Sequence, residues 1–295
     1  MQLSKYETFM EVVRTESMSK AAYHLHQTVP GVSYAISKLE EEWGITLFNR
    51  NRNKVSLTPE GEELMAYVTE VLKAQEKLDQ AVLAIKGVEK GTVRVGGLRA
   101  ATKLWLPAIM QYMHEVCPNI EIKIVLNLYE EIKKDLLEGV LDVAFASEPT
   151  SKMLGFTPLG QDPYIVVMQK GHPLAGRERI CLEELAGERL ILPDWNFDKT
   201  LNGYIEKSKV KDKVSYFIKD AGTMISLAKS GMGVAVLPRL LLEDNKSEVD
   251  WVPLEDWPAR KIGLVVSNIA KPSPATKKFI RHAKEWFESQ GGVVR

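Results

Sequence analysis

Residues 17–64 read SMSKAAYHLHQTVPGVSYAISKLEEEWGITLFNRNRNKVSLTPEGEEL. Ser17 is a typical N-cap residue for a helix over 18–25. Thr28 can cap a further helix with Pro30 in its first turn, where the missing N–H costs nothing. Apolar residues at helical spacing predict the buried face of that helix, formed by Val32, Ile36, Leu39 and Trp43. A helix before this stretch is predicted by Leu3, Tyr6, Phe9, Val12 and Val13. The arrangement is that of a helix-turn-helix unit.

The end of this stretch predicts a basic hairpin and then a long helix. ITLFNRNRNKVSLT (45–58) has two short β-prone runs around a polar centre, which we interpret as a wing whose tip carries Arg50, Arg52 and Lys54. Thr58-Pro59-Glu60 is a strong helix start, with a capping hydroxyl and an acid near the positive end of the helix dipole. We expect this helix to span 59–87.

The long helix has the spacing of a coiled-coil seam. Positions separated by alternating steps of four and three are Leu64, Val68, Val71, Gln75, Leu78, Val82 and Ile85. Only Gln75 interrupts the apolar seam, and one polar seam residue is a known way to fix register. A long helix packed on its own chain is the alternative, because about three heptads are few for a free coiled coil.

Beyond a linker at 87–91, strands alternate with helices. The predicted strands are 93–97, 120–126, 141–146, 164–168, 189–192, 214–218, 233–237 and 262–266. Helices are predicted at 102–115, 130–138 and 271–290. Such alternation predicts parallel sheets covered by helices on both faces, as two α/β lobes. Lobes of this kind usually bind a ligand beyond the carboxyl ends of their strands.

Composition excludes several classes of protein and leaves DNA binding open. The 295 residues are 45% apolar and carry 39 basic and 39 acidic side chains, so disorder and collagen are excluded and total charge does not decide about nucleic acid. Cys117 and Cys181 are in no metal or redox spacing, which favours a reducing compartment. An uninterrupted apolar run of about 18 residues is missing, so we expect no membrane span.

Motifs for catalysis or metal binding are absent from the sequence. It contains no GxGxxG, no P-loop and no GxSxG motif. His24 and His26 are two residues apart, which in a helix places them on different faces, and we interpret them as helix-end residues. We therefore expect no enzyme activity, no cofactor and no metal site.

The order of residues in 17–64 resembles the winged helix-turn-helix of LysR-type transcriptional regulators almost position by position. The matching positions are Ser17, Ser19, Ala21, Ala22, Leu25, Thr28, Pro30, Val32, Ser33, Ile36, Leu39, Glu40, Trp43, Gly44, Leu47, Phe48, Arg50, Leu57, Thr58 and Gly61. The resemblance continues through 139–145, 172–175 and 231–238, which resemble landmarks of that family's effector domain. The length also fits, so the resemblance covers the whole chain.

This resemblance implies residues that bind DNA. They are Thr28, Pro30, Ser33, Tyr34 and Lys38 on the recognition helix, with Arg50 and Arg52 in the wing. Two positions depart from the family pattern: Val29 replaces a glutamine able to read adenine, and Tyr34 stands where arginine is common. The alternative for Ser33 and Tyr34 is that both merely solvate the helix.

The resemblance also implies a second domain like a periplasmic binding protein, with a small effector bound between its lobes. Residues implied there are Gly97, Arg99, Ala100, Thr102, Tyr129 and Thr223. The loop before the helix suits an anion, although Ala100 and Tyr129 stand where the family has hydroxyl groups. Arg99 and Thr102 could supply donors instead, or could be a plain surface arginine and a helix-cap threonine.

We therefore expect an α/β protein with an all-α winged helix-turn-helix domain at 1–58, a dimerisation helix at 59–87 and an effector domain at 88–295. Lobe I would comprise 91–161 and 268–295, and lobe II would comprise 162–267. Ligand-driven closure would rotate the lobes about crossings near Gln161 and Ser267. The expected partners are double-stranded DNA with an interrupted inverted repeat, a small effector, and further copies in a homodimer or homotetramer. RNA polymerase is a further partner if the protein is an activator.

We expect a cytoplasmic regulator. One alternative is a solute-binding module without a transcriptional role, and another is an α/β enzyme fused to a DNA-binding domain.

Overall fold

The computed structural model describes residues 2–51, 54–87, 90–125, 131–194, 199–242, 247–255, 257–268 and 271–290. The chain divides into two compact units, Met1–Val88 and Glu89–Arg295, and this division lies in the linker expected at 87–91. Within the described residues, none of the helices is long and apolar enough to cross a membrane.

The N-terminal unit is a winged helix-turn-helix, as predicted. Its elements are α1 (Gln2–Thr15), α2 (Met18–His24), α3 (Val29–Trp43), β1 (Phe48–Asn51), β2 (Lys54–Leu57) and α4 (Pro59–Ile85). Three predicted hydroxyl caps are present: Ser17 accepts from Lys20 N, Thr28 from Gly31 N and Thr58 from Gly61 N. Gly44 ends α3 in the left-handed conformation (φ 67°), which glycine adopts without the steric cost of a side chain.

One apolar core holds this unit together. Its fully or nearly fully buried members are Phe9, Val12, Ala21, Ala22, Val32, Ile36, Leu39, Leu47, Phe48 and Val68. The predicted faces of α1 and α3 are therefore in the core, with Trp43 partly buried beside them.

The long helix α4 uses two different faces along its length. Leu64 and Val68 pack into the core of their own chain, so the own-chain alternative is correct for these two positions. Farther along, Val71, Leu78, Val82 and Ile85 are exposed. Gln75 donates to Asp79 Oδ1 of the same helix at 2.9 Å. Ala74 is exposed and lies on the same face of α4 as Val71 and Leu78.

The C-terminal unit contains two five-stranded sheets. The first is built from β3 (Gly91–Gly97), β4 (Ile120–Ile124), β5 (Val143–Ser147), β6 (Leu154–Asp162) and β12 (Arg260–Ser267), in the order β4-β3-β5-β12-β6. Its helices are α5 (Arg99–Val116), α6 (Ile132–Leu137) and α9 (Pro274–Ser289). α5 and α9 pack in one core and α6 in another, so that both faces are covered.

The second sheet has the order β11-β7-β10-β8-β9. Its strands are β7 (Tyr164–Met168), β8 (Leu190–Pro193), β9 (Val214–Ile218), β10 (Val234–Pro238) and β11 (Asp250–Pro253). α7 (Lys199–Ile205) packs in one core of this lobe and α8 (Ala221–Lys229) in the other.

Two expectations about the sheets are wrong. The sheets are mixed and not parallel, because β12 runs antiparallel to β5 and β6, and β7 runs antiparallel to β10 and β11. Since β12 pairs in the first sheet, 260–267 belong to lobe I. The chain therefore returns between 254 and 260, and not near Ser267, whereas the first crossing, after β6 ends at Asp162, is adjacent to the expected Gln161.

Candidate nucleic-acid interface and effector site

One face of α3 packs in the core, so the opposite face of this helix is exposed. Thr28, Val29, Pro30 and Tyr34 are exposed, Tyr34 to 66% of its surface, and Ser33 is half-buried. The Thr28 hydroxyl accepts from Gly31 N at 3.2 Å and so fixes the start of this helix. Thr28, Pro30 and Tyr34, predicted from the sequence, thus lie together with Val29 on a surface that could enter a DNA groove.

The positive charge on α3 is partly compensated within the helix. Lys38 Nζ donates to Glu41 Oε2 at 2.6 Å. This hydrogen bond raises the pKa of Lys38 and lowers the pKa of Glu41, so both groups stay charged while opposing each other. The net charge of the pair is zero, so the exposed face of α3 presents little uncompensated positive charge.

The wing is attached to the end of α3 by side-chain hydrogen bonds. Glu40 Oε1 accepts from the backbone N–H groups of Leu47, at 2.8 Å, and Phe48, at 3.3 Å. At the other root of the wing, the Thr58 hydroxyl donates to the Thr46 carbonyl at 2.7 Å. These contacts fix the direction in which the hairpin leaves the core.

The basic residues at the tip of the wing fall at the edge of the described region. Arg50 lies in β1 opposite Val55. Its side chain, and the whole of Arg52, are outside the described residues. The hairpin prediction is confirmed by the pairing of β1 with β2, and the phosphate contacts of both arginines stay predictions.

Sequence reasoning missed two exposed features of α2. Tyr23 is 80% exposed at the end of this helix. His24 Nδ1 lies 2.7 Å from Glu11 Oε1, and Arg14 also bonds Glu11, so the three side chains join α1 to α2. The pairing of His24 needed the relative position of two helices, which helical spacing within α2 does not give. Among the described residues, no cluster of His, Cys, Asp and Glu could hold a metal ion.

The loop after β3 forms one side of the expected effector site. Gly97 has φ 122°, and a Cβ there would lie 2.1 Å from the Phe145 carbonyl oxygen, so only glycine fits. α5 begins at Arg99 without a side-chain cap on Leu98. Because the first N–H groups of a helix have no intrahelical acceptor, this end offers donors to an anion.

Side chains around this helix end differ in their exposure. Arg99 is exposed and Ala100 is half-buried. Thr102 is 7% exposed, and its Oγ1 is buried without a hydrogen-bond partner. An unsatisfied buried hydroxyl in the first turn of α5 is a donor or acceptor that a ligand could use.

The facing element of the second lobe is the start of α8. Asp220 caps this helix, and its Oδ2 accepts from Thr223 N at 2.8 Å and from Thr223 Oγ1 at 2.9 Å. These hydrogen bonds are the main cause that lowers the pKa of Asp220, and the charge of Arg99 contributes. The structure thus places Arg99 of lobe I near enough for its charge to act on the carboxylate of Asp220 in lobe II. Tyr129 lies outside the described residues, and Asp220 was missed by sequence reasoning.

Both units of the chain match models of known protein families. Residues 3–62 match the model for bacterial regulatory helix-turn-helix proteins of the lysR family, and residues 86–288 match that of the LysR substrate binding domain. The uncharacterized HTH-type transcriptional regulator YvbU of Bacillus subtilis is 29% identical over 98% of this chain and 100% of its own. The uncharacterized regulator YbhD of Escherichia coli is 27% identical over 94% of this chain and 89% of its own.

Solved structures have the same fold. A full-length OxyR variant from Pseudomonas aeruginosa superposes with a TM-score of 0.72 at 22% identity, covering 98% of this chain and 95% of its own. Full-length CbnR in complex with its target DNA has a TM-score of 0.58 at 18% identity, covering 97% and 100%.

Proposed function

The chain belongs to the LysR family of DNA-binding transcriptional regulators, and from this premise we propose that α3 reads the major groove of an interrupted inverted repeat. The observation that carries this proposal is the outward face of α3, where Thr28, Val29, Pro30 and Tyr34 are held exposed by a buried opposite face. Val29 offers apolar contact, for instance to a thymine methyl group, and Tyr34 offers a ring and a hydroxyl. Ser33, Lys38, Arg50 and Arg52 complete the proposed interface.

We infer that the protein binds DNA as a dimer joined through α4, with tetramers formed by further contacts. Support comes from the apolar side chains of Val71, Leu78, Val82 and Ile85, which the single chain leaves exposed on one face of this helix. A two-fold arrangement presents two recognition helices to half-sites about one helical turn apart, or a multiple of it. Such a dimer acts in the cytoplasm, and it contacts RNA polymerase if it is an activator.

We propose that a small molecule binds between the lobes and controls this activity. The first turn of α5 would receive an anionic group, with Arg99, Thr102 and the Gly97 loop on one side and Thr223 on the other. The unpartnered Thr102 hydroxyl supports this placement. Catalysis has no place in this proposal, since the relatives are transcriptional regulators.

Gel-shift titration of DNA from upstream of the protein's own gene tests the proposal. We expect the parent protein to retard the migration of this DNA. Tyr34→Ala and Ser33→Ala should lower the affinity for the specific DNA and leave the affinity for random DNA unchanged. Arg52→Ala should lower the affinity for both. The dependence of affinity on salt should become shallower only for Arg52→Ala, because phosphate contacts release counterions and base contacts do not.

Phe217→Ala, which removes an exposed aromatic side chain from the other unit, is the matched control. Unchanged affinity in all three interface variants would refute the assignment of α3. Absence of any DNA binding, together with ligand binding, would favour the solute-binding alternative, and turnover of a bound ligand would favour the enzyme alternative.

A further inference from the structure

The chain passes between the two lobes twice, once after β6 and once before β12. These two segments lie side by side and contact each other in both lobes. Asp162 ends β6 and pairs in register with Arg260, the first residue of β12. Arg260 Nε donates to Asp162 Oδ2 at 2.8 Å, and its Nη2 lies 2.7 Å from the same oxygen. On the lobe II side, the rings of Tyr164 and Trp257 meet edge to face at 5.9 Å.

A third chain segment reaches the same place from lobe II. The 3₁₀ turn Arg239–Leu241 follows β10, and Leu240 N donates to the other oxygen of Asp162 at 2.9 Å. Arg239 N donates to the Pro163 carbonyl at 2.8 Å, within the first crossing. The fully buried carboxylate of Asp162 therefore binds both the returning crossing and this turn.

The side chains of this turn belong to the cores of different lobes. Leu240 is 2% exposed and packs in the core of lobe I, among residues of α5 and the first sheet. Leu242, two positions later, packs in the core of lobe II. A rotation that separates the two cores at this turn must either withdraw Leu240 from the first core or pull Leu242 from the second.

We propose that Asp162, Arg260 and Leu240 form an inter-lobe lock that sets the resting angle between the lobes, so that weakening it changes the operator footprint without any effector. Two physical costs maintain the lock. Opening it exposes a leucine that is nearly fully buried, and it separates a buried carboxylate from its guanidinium partner. The turn also contacts α5, the helix whose first turn is the proposed effector wall, so a ligand there would act on the lock through this helix.

The lock can be tested in the full chain by measuring the distance between the lobes. Spin labels would be placed at the exposed positions Glu121, on edge strand β4, and Ser215, on edge strand β9, after replacement of Cys117 and Cys181. The labelled chains would be diluted with an excess of unlabelled chains, so that the measured distances are those within one chain. We then expect one narrow distance distribution for the parent protein, and a shifted or broadened one for Leu240→Ala and Asp162→Asn, in the absence of added metabolites.

The matched control is Leu106→Ala, which deletes the same side chain from the same core, where Leu106 is fully buried but belongs to lobe I alone. Leu106→Ala should lower the melting temperature and leave the distance distribution narrow. If Leu240→Ala does not fold, Leu240→Val replaces it. A parent-like distribution in the Leu240 and Asp162 variants, or equal broadening in Leu106→Ala, would overturn the lock.

The regulatory consequence rests on the proposed function and has its own readout, DNase footprinting of the same variants without metabolite. We expect the Leu240 and Asp162 variants to change the extent of the protected region, while Leu106→Ala keeps the parent footprint. A shifted distance with a parent footprint would overturn the link to regulation. Failure of every variant and of the parent to bind DNA would refute the proposed function instead, since the distance measurement needs no operator.

Discussion

Replacing Val71 and Leu78 by lysine in a fragment of residues 1–88 should convert a dimer into a monomer. The fragment has its own core and corresponds to one compact unit of the structure. In the single chain, Val71 is 44%, Leu78 57%, Val82 41% and Ile85 87% exposed, all on one face of α4. A second α4 packed against this face would bury all four.

The magnitude follows from these exposed fractions. They amount to a little over two fully exposed aliphatic side chains per chain, so covering them stabilises a dimer by about 3–7 kcal/mol per chain before the cost of association. The exposed fractions of Val71 and Leu78 together correspond to about one fully exposed side chain per chain. Counted for both chains, burying these two residues stabilises the dimer by roughly 3–6 kcal/mol. At about 1.4 kcal/mol per tenfold, the double variant should raise the dissociation constant at least about 100-fold.

Sedimentation equilibrium over a range of fragment concentrations measures this shift. The control is the double variant Ala66→Lys and Ala84→Lys, which adds the same charge at two exposed positions off the seam. Circular dichroism should show a folded fragment in both cases, because neither Val71 nor Leu78 belongs to the core of the unit. A double variant of Val71 and Leu78 that stays dimeric at the concentrations where the parent is dimeric would show that α4 pairs by another face, or that the dimer forms elsewhere.

Two further predictions concern the other unit and the response to pH. The ligand for the first prediction is a metabolite that raises the melting temperature of the parent protein. Arg99→Ala or Thr102→Val should leave the operator affinity without ligand nearly intact and abolish the change in footprint that this metabolite produces. A parent-like response in both variants would show that the effector binds elsewhere. In α1, the hydrogen bond from Arg14 is the main cause that lowers the pKa of Glu11, so Glu11 contributes stability above the ordinary glutamate pKa and loses it as pH falls through its folded-state value. Urea unfolding of the 1–88 fragment should therefore show Glu11→Gln less stable by up to about 1 kcal/mol near neutral pH, with the difference vanishing in acid; a difference independent of pH would contradict this.

The N-terminal unit could be predicted from the sequence because its determinants are local. Ser17, Thr28 and Thr58 each sit three residues before the N–H group that they accept from, and the spacing of apolar residues within α3 already defines its buried face. Helix caps and helical periodicity depend only on neighbours in the chain. The structure was needed to divide the apolar positions of α4 into those that pack in the core of the same chain and those that remain exposed on its surface.

The second unit was predicted less completely because sheet membership is a property of distant residues. The run 262–266 reads as a buried strand in either lobe, and only its pairing with β5 and β6 places it in the first sheet. β6 was missed because Gly155, Pro158 and Gly160 interrupt any alternation, and β11 because its sequence, DWVP, has only two apolar residues between an aspartate and a proline. The Asp162–Arg260 pair was missed for the same reason, since nothing in the sequence shows that these two side chains meet. Asp220 is different, because it caps α8 by accepting from Thr223 N, and this local pattern could have been found in the sequence.

A chain with zero net charge must bind DNA through arrangement more than through total charge. On α3 the only basic side chain, Lys38, is opposed by Glu41, so the recognition helix gains little from the general attraction of phosphates, and that attraction is left to the wing. That attraction supplies most of non-specific binding, and a protein that lacks it depends on base contacts and on the pairing of two half-sites. Dimerisation through α4 would therefore contribute to the discrimination between operator and random DNA as much as to affinity, because only a correctly spaced repeat engages both recognition helices at once. Any change in the angle between the lobes that alters this spacing would act on the specific complex and leave the weak non-specific one almost unaffected.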